Sequence, residues 1–127
     1  MKLEFISSPQ AHDRKTGYSQ AVQISGHSRT VLVSGQIPVH PDGSVPEDFS
    51  RQAELVWANV KSQLEAAQMG LENIAKVTIF LSDRKYRAEN TKVRQEVLGA
   101  HEPALTVIIT GIFDEAWLLE IEVEAVA

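Results

Sequence analysis

The stretch Asn73–Asp83 reads NIAKVTIFLSD. Within it Val77, Ile79 and Leu81 share one face, and Lys76, Thr78 and Phe80 share the other. A two-residue period rich in β-branched side chains marks a half-buried strand. Its apolar face needs a cover, and the flanking segments supply two helices. From about Phe49 to Met69, Ala53, Val56, Trp57, Val60, Leu64 and Ala67 recur at helical spacing. Pro46-Glu47-Asp48 places acids at the positive end of that helix, and Gly70 is a natural stop. A second helix is expected from near Asp83 to about Leu98, before Gly99, with Tyr86, Asn90, Val93 and Val97 along one side.

Working outward, further strands are expected at Lys2–Ile6, Gln20–Ser25, Thr30–Gln36, Leu105–Thr110 and Trp117–Val126. The order is β-β-β-α-β-α-β-β. Each strand–helix–strand unit should cross over right-handedly, which lays both helices on one face of a mixed sheet. This is an α+β fold. Leu105, Val107, Ile109 and the last strand are expected to make the other face apolar. A small domain seldom leaves such a face wet, so association through it is expected.

The bulk numbers agree with one domain spanning residues 1–127. At 127 residues and 43% hydrophobic, the chain can bury a core without staples. It has no cysteine, which removes disulfides, thiolate nucleophiles and Cys-based zinc sites. The opening MKLEFISSPQAHDRK lacks the apolar run of a signal peptide, and no segment is apolar enough to span a bilayer. A soluble, cytoplasmic protein is expected. The net charge of −5, from 17 acidic and 12 basic residues, repels phosphate backbones at long range and argues against nucleic acid as a partner.

Four clusters can carry chemistry. Tyr18, in Gly17-Tyr18-Ser19-Gln20, can donate a hydrogen bond at a pocket rim or pack as a loop tyrosine. In Val33-Ser34-Gly35-Gln36, a glycine inside a strand pattern implies a bulge, or a close approach of ligand or backbone. Asn90 lies on the inner side of the second helix and must find a backbone, water or substrate partner. Glu120, Glu122 and Glu124 share one face of the last strand, about 6.6 Å apart, and repel one another unless solvated. One of them can hold a water, or all three can form a wet face. The four histidines show no ligand spacing. Arg84, Lys85, Arg87, Lys92 and Arg94 make the second helix locally basic, which could bind anions or RNA, with a solvated helix face the expected reading.

Together these segments resemble the Rid (reactive intermediate deaminase) family, also called YjgF. The segments that carry the resemblance are GYSQAV at 17–22, VSGQIPVHPDG at 33–43, the helix from Gln52 to Ala67, NIAKVTIFLSD at 73–83 and EIEVEAVA at 120–127. The resemblance implies a chorismate-mutase-like mixed sheet with two helices on one face. It implies a homotrimer around a central barrel, with small-molecule clefts between subunits. It further implies hydrolysis of enamines and imines such as 2-aminoacrylate to 2-keto acids and ammonia, with no cofactor. By the same resemblance Glu120 orients the attacking water and Tyr18 helps to orient substrate. Ser34, Gly35, Lys76, Asn90 and position 105, with Thr106 and Val107 beside it, bind substrate.

The chain departs from the family pattern at Thr16-Gly17, where many members read Gly-Pro, in the shortened segment Leu98–Pro103, and at Leu105. Deaminating members read Pro-Ala-Arg where this chain reads Pro103-Ala104-Leu105, and that arginine grips the substrate carboxylate. A leucine cannot clamp a carboxylate and makes the cleft floor apolar. Arg14, or an arginine across the interface, is a candidate replacement. Three readings stay open: a deaminase of altered specificity, a non-catalytic small-molecule-binding or regulatory trimer, and an endoribonuclease-type RNA-binding protein.

Overall fold

The strand expected from NIAKVTIFLSD lies inside a four-stranded sheet. The computed structural model describes residues 1–12 and 17–127. In chain order the elements are β1 (Lys2–Ile6), β2 (Ala21–Ser25), β3 (Thr30–Gln36), α1 (Phe49–Ala66), β4 (Ile74–Leu81), α2 (Arg87–Leu98), β5 (Ala104–Ile109) and β6 (Leu119–Val126). Short 3-10 turns at Leu71–Asn73 and Arg84–Tyr86 lead into β4 and α2. The expected α+β order is therefore the observed one.

The sheet runs β3-β6-β4-β5, with β4 and β5 parallel and β6 antiparallel to β3 and β4. It is mixed, as expected. Among the described residues β1 and β2 pair only with each other, as a separate antiparallel ribbon. One parallel bridge, Ser19 to Ala104, ties the segment before β2 to the start of β5.

The core lies between sheet and helices. Val77, Ile79 and Leu81 are fully buried, with Leu119, Ile121 and Ala125 of β6 and Val56, Trp57, Val60 and Leu64 of α1. Burying side chains of this size stabilises by about 1.5–3 kcal/mol each before entropy is counted. Two amides fasten the loops over α1. Gln52 donates to the carbonyls of Pro46 (2.8 Å) and Ala116 (2.9 Å) and accepts from Leu118 N–H (2.8 Å). Asn59 donates to the carbonyls of Ile37 (2.9 Å) and Val39 (3.3 Å).

Two expectations are corrected. Leu105, Val107 and Ile109 do not face away from the helices. They pair with Val77, Ile79 and Leu81, and directly paired residues share a face, so they lie on the helix side. The opposite face carries Lys76, Thr78, Phe80, Thr106, Ile108 and the three β6 glutamates. It is largely polar, and Glu122 and Glu124 are exposed on it. The error came from the phase of β5 relative to its neighbour, which a single strand's sequence does not carry.

The second correction is the end of α1. The helix stops at Ala66, and the chain reverses at Gln68, whose φ is +60°, not at Gly70. The N–H groups of Gln68 and Met69 return to the carbonyls of Glu65 (2.9 Å) and Leu64 (2.8 Å), which satisfies the helix end. Buried Met69 holds that turn against the core.

Candidate functional site

A cleft of about 900 Å³ opens between α2 and the β5 edge of the sheet. Leu105, Val107 and Ile109 form its strand wall, with Leu81 beneath. Asn90, Thr91 and Arg94 form its helix wall, and Tyr18 also lines it. The β5 wall is there because parallel pairing to β4 turns alternate residues toward α2. The helix wall follows from α2 geometry: Asn90 and Arg94 are four residues apart and so share a face. Tyr18 is delivered by the loop docked on β5, where Ser19 N–H donates to Pro103 O at 3.2 Å and Ser19 Oγ to Glu102 O at 2.5 Å.

The site predicted from sequence divides into two groups. Tyr18, Asn90, Leu105 and Val107 meet in this cleft. Ser34, Gly35, Lys76, Thr106 and Glu120 do not line it. Glu120 pairs with Phe80 on the helix-free face and sits in a smaller hollow with Thr110, Gly111 and Phe113. Lys76 Nζ donates to Thr106 Oγ1 at 2.6 Å on the same face.

Gly35 is matched to Glu120. The register between β3 and β6 shifts between Val33 and Gln36, so Ser34 and Gly35 form the expected bulge. A Cβ on Gly35 would overlap Glu120 Oε2 and lie 2.7 Å from its Cδ. The glycine is needed because the carboxylate occupies that space.

The large cleft takes its charge from the basic second helix and the turn before it. Among the described residues its lining is cationic, with Arg84, Lys85, Arg87 and Arg94 and no acidic side chain. Arg84, Lys85 and Arg87 are exposed, as a solvated helix face requires. Arg94 is not: it is 2% exposed. Its one hydrogen bond among the described residues is from Nη1 to Gly17 O at 3.3 Å, and its Nε has no partner. Burial pulls its pKa below the ordinary arginine value, while Tyr18 beside it works in the opposite direction. Asn90, 3% exposed, leaves its carboxamide oxygen without a partner. Among the described residues three buried side-chain polar atoms lack partners, and two of them belong to this cleft; the third is Trp57 Nε1 in the core.

Arg94 is thus the residue the sequence reading placed wrongly. A signal was present, since Arg94 follows Asn90 by four and Tyr86 by eight on the inward side of α2. The run of five basic residues concealed it. Arg14, the other candidate cation, lies outside the described residues. No cluster of three or more metal-ligating side chains occurs among the described residues. No helix is long and apolar enough to cross a membrane among them.

Comparison with known proteins gives the family and the fold. Residues 8–127 match the family described as Endoribonuclease L-PSP. The chain is 35% identical over 123 residues to the yeast protein MMF1, mitochondrial, covering 96% of this chain and 81% of that one. It is 32% identical over 123 residues to a RutC family protein of Aquifex aeolicus, with 96% of each chain covered. Among solved structures, Escherichia coli TdcF with bound serine superposes with a TM-score of 0.73 at 30% identity, covering 98% of each chain. A Rid family protein of unknown function from Yersinia pestis, YyfB, superposes with a TM-score of 0.88 over the whole of both chains; at 21% identity it speaks for the fold.

Proposed function

The chain belongs to the Rid (YjgF) family, and on that premise we propose that it hydrolyses small enamine or imine metabolites at sites completed between copies of itself. The observation that carries this reading is the convergence of Tyr18, Asn90, Leu105 and Val107 in one cleft, with the Asn90 oxygen unpartnered. A buried unsatisfied acceptor is costly unless a ligand supplies the donor. An imine N–H is such a donor. The E. coli relative TdcF, which carries the provisional name of reactive intermediate deaminase, has been crystallised with serine, a small molecule bearing a carboxylate and a nitrogen.

The chemistry is addition followed by elimination. Water oxygen bonds to the imine carbon as the C=N pair moves to nitrogen. The C–N bond then breaks, ammonia leaves, and a 2-keto acid remains. Glu120 accepts the first proton that water loses and passes it to nitrogen, giving a carbinolamine; it then takes the carbinolamine hydroxyl proton and delivers that to nitrogen too, so that the C=O forms as neutral ammonia leaves. A positioned carboxylate in this role contributes about 10²–10⁴-fold. No cofactor is called for in this scheme.

Glu120 and the Tyr18–Asn90 group lie on opposite faces of one chain's sheet, so a second copy must bring them together. The sheet edges support this. β5 is an edge strand, and Val107, Ile108 and Ile109 on it are 40%, 41% and 37% exposed. Leu32 on the other edge strand is 70% exposed, and Phe113 beside Glu120 is 95% exposed. Unpaired edges with apolar side chains are templates for association. A homotrimer, as the resemblance implies, fits these surfaces.

The apolar Leu105 floor favours a second reading, a trimer that binds a small ligand without turning it over. One experiment separates the two. Imines are generated in situ from 2-amino acids of increasing side-chain size, and hydrolysis is followed for the wild type and Glu120→Ala. Turnover that rises with side-chain size and falls about 10²–10⁴-fold in Glu120→Ala is expected. Binding without turnover, unchanged in Glu120→Ala, would establish the binder instead.

A further inference from the structure

We propose that Arg94 is the anion-recognition residue of the cleft, and that the cleft takes a small 2-imino or 2-keto acid with an apolar side chain, held by its carboxylate from the helix side. The proposal deepens the reading above and rests on it for the reaction, not for the binding.

Three observations carry it. The first is burial without neutralisation. Arg94 is 2% exposed, lines the cleft, and among the described residues has one long hydrogen bond and no carboxylate partner. A buried guanidinium in that state is costly to the fold, and a ligand carboxylate is the group that would relieve it. The fork of donors suits a carboxylate, and the free Nε is one prong. The second is the field. Arg84, Lys85 and Arg87 rim the same cleft, no acid lines it among the described residues, and the chain as a whole carries a net charge of −5. A cationic cleft on an acidic protein concentrates small anions there. The third is the arrangement of polar and apolar walls. Asn90 and Arg94 are adjacent on α2, so their tips can address the nitrogen and the carboxylate on one α-carbon. Leu81, Leu105, Val107 and Ile109 face them across the cleft. That wall has nothing to offer a polar side chain and room for an aliphatic one.

Leu105 then has its own role. With the cation moved from strand to helix, the strand position is free to contact the substrate side chain. The ligand would lie turned in the cleft, with its carboxylate on α2 and its aliphatic end on β5.

The test measures binding of 4-methyl-2-oxopentanoate and of its neutral amide by calorimetry. The proteins are the wild type, Arg94→Met, Arg94→Lys and, as a control on the same helix outside the cleft, Lys92→Gln. The wild type should bind the acid, and the amide at least about thirtyfold more weakly. Arg94→Met should abolish that preference. Arg94→Lys should weaken the acid about tenfold or more, because a point charge replaces the fork, and it serves alone if Arg94→Met does not fold. Lys92→Gln should bind as the wild type does. Failure of the wild type to bind the acid, or an unchanged acid-to-amide ratio in a folded Arg94 variant, overturns the proposal. The two readings fail separately. Arg94-dependent binding without imine turnover removes the deaminase and leaves the clamp. Turnover with unaltered kcat/KM in Arg94→Lys removes the clamp and leaves the deaminase.

Discussion

Replacing Gly35 by alanine should silence the protein without unfolding it. The Cβ added at Gly35 would overlap Glu120 Oε2 and stand 2.7 Å from Cδ and 3.0 Å from Cγ. Carbon atoms rest at about 3.5–4.0 Å, so the carboxylate group must retreat by roughly 1 Å. What yields is the far end of a half-buried side chain on an exposed sheet face. Gly35 does not have a positive φ, so alanine adds no backbone strain. Moving Glu120 off its rotamer costs about 0.5–1.5 kcal/mol. Removing a glycine from the unfolded chain returns about 0.4–1 kcal/mol. The two nearly cancel, and Tm should stay within about 4 °C of the wild type. Catalysis is less forgiving, since a displacement of this size can cost about 10²-fold. The assay pairs thermal melting by circular dichroism with kcat/KM for imine hydrolysis. Retained activity would show that the Glu120 carboxylate is not held for chemistry at the place the bulge makes for it. A Tm loss above about 10 °C would show that the β3 backbone, not the side chain, gives way.

Other perturbations test the frame. Gln52→Leu strips three buried backbone groups of their partners and should cost about 3 kcal/mol in urea denaturation, at about 1 kcal/mol per group; a loss under 1 kcal/mol would mean water replaces the amide. Gln68→Gly, at φ +60°, should stabilise by roughly 0.5–1 kcal/mol, because glycine bears no penalty in that conformation; a destabilised variant would show that the Gln68 side chain matters more than its backbone. Asp42 should titrate below its ordinary value of 3.8, because Ser44 Oγ and N–H both donate to its carboxylate. A depressed folded-state pKa means that its contribution is present above the unfolded value and is lost as pH falls through the folded one. An NMR titration of Asp42 with a midpoint at or above 3.8 would contradict this.

The elements were legible in the sequence because each rests on local physics. The alternation in Asn73–Asp83, the stripe from Ala53 to Leu64 and the glycine in Val33–Gln36 specify strand, helix and bulge through steric and burial periods that repeat within a few residues. The family could be read from the order of those elements with Tyr18, Ser34-Gly35 and Glu120 in place. Three things required the tertiary structure. The face on which Leu105, Val107 and Ile109 lie depends on their register against β4, a contact between segments roughly thirty residues apart. The reversal at Gln68 that follows α1 depends on Met69 finding the core, which lets a non-glycine residue take the left-handed turn. The burial of Arg94 depends on the Gly17–Tyr18 loop docking along β5 to roof α2. A lone helix would leave that guanidinium in water with its basic neighbours. Local periodicity thus settles what each segment is, whereas desolvation, which gives a charge its function, is a property of what other segments place around it.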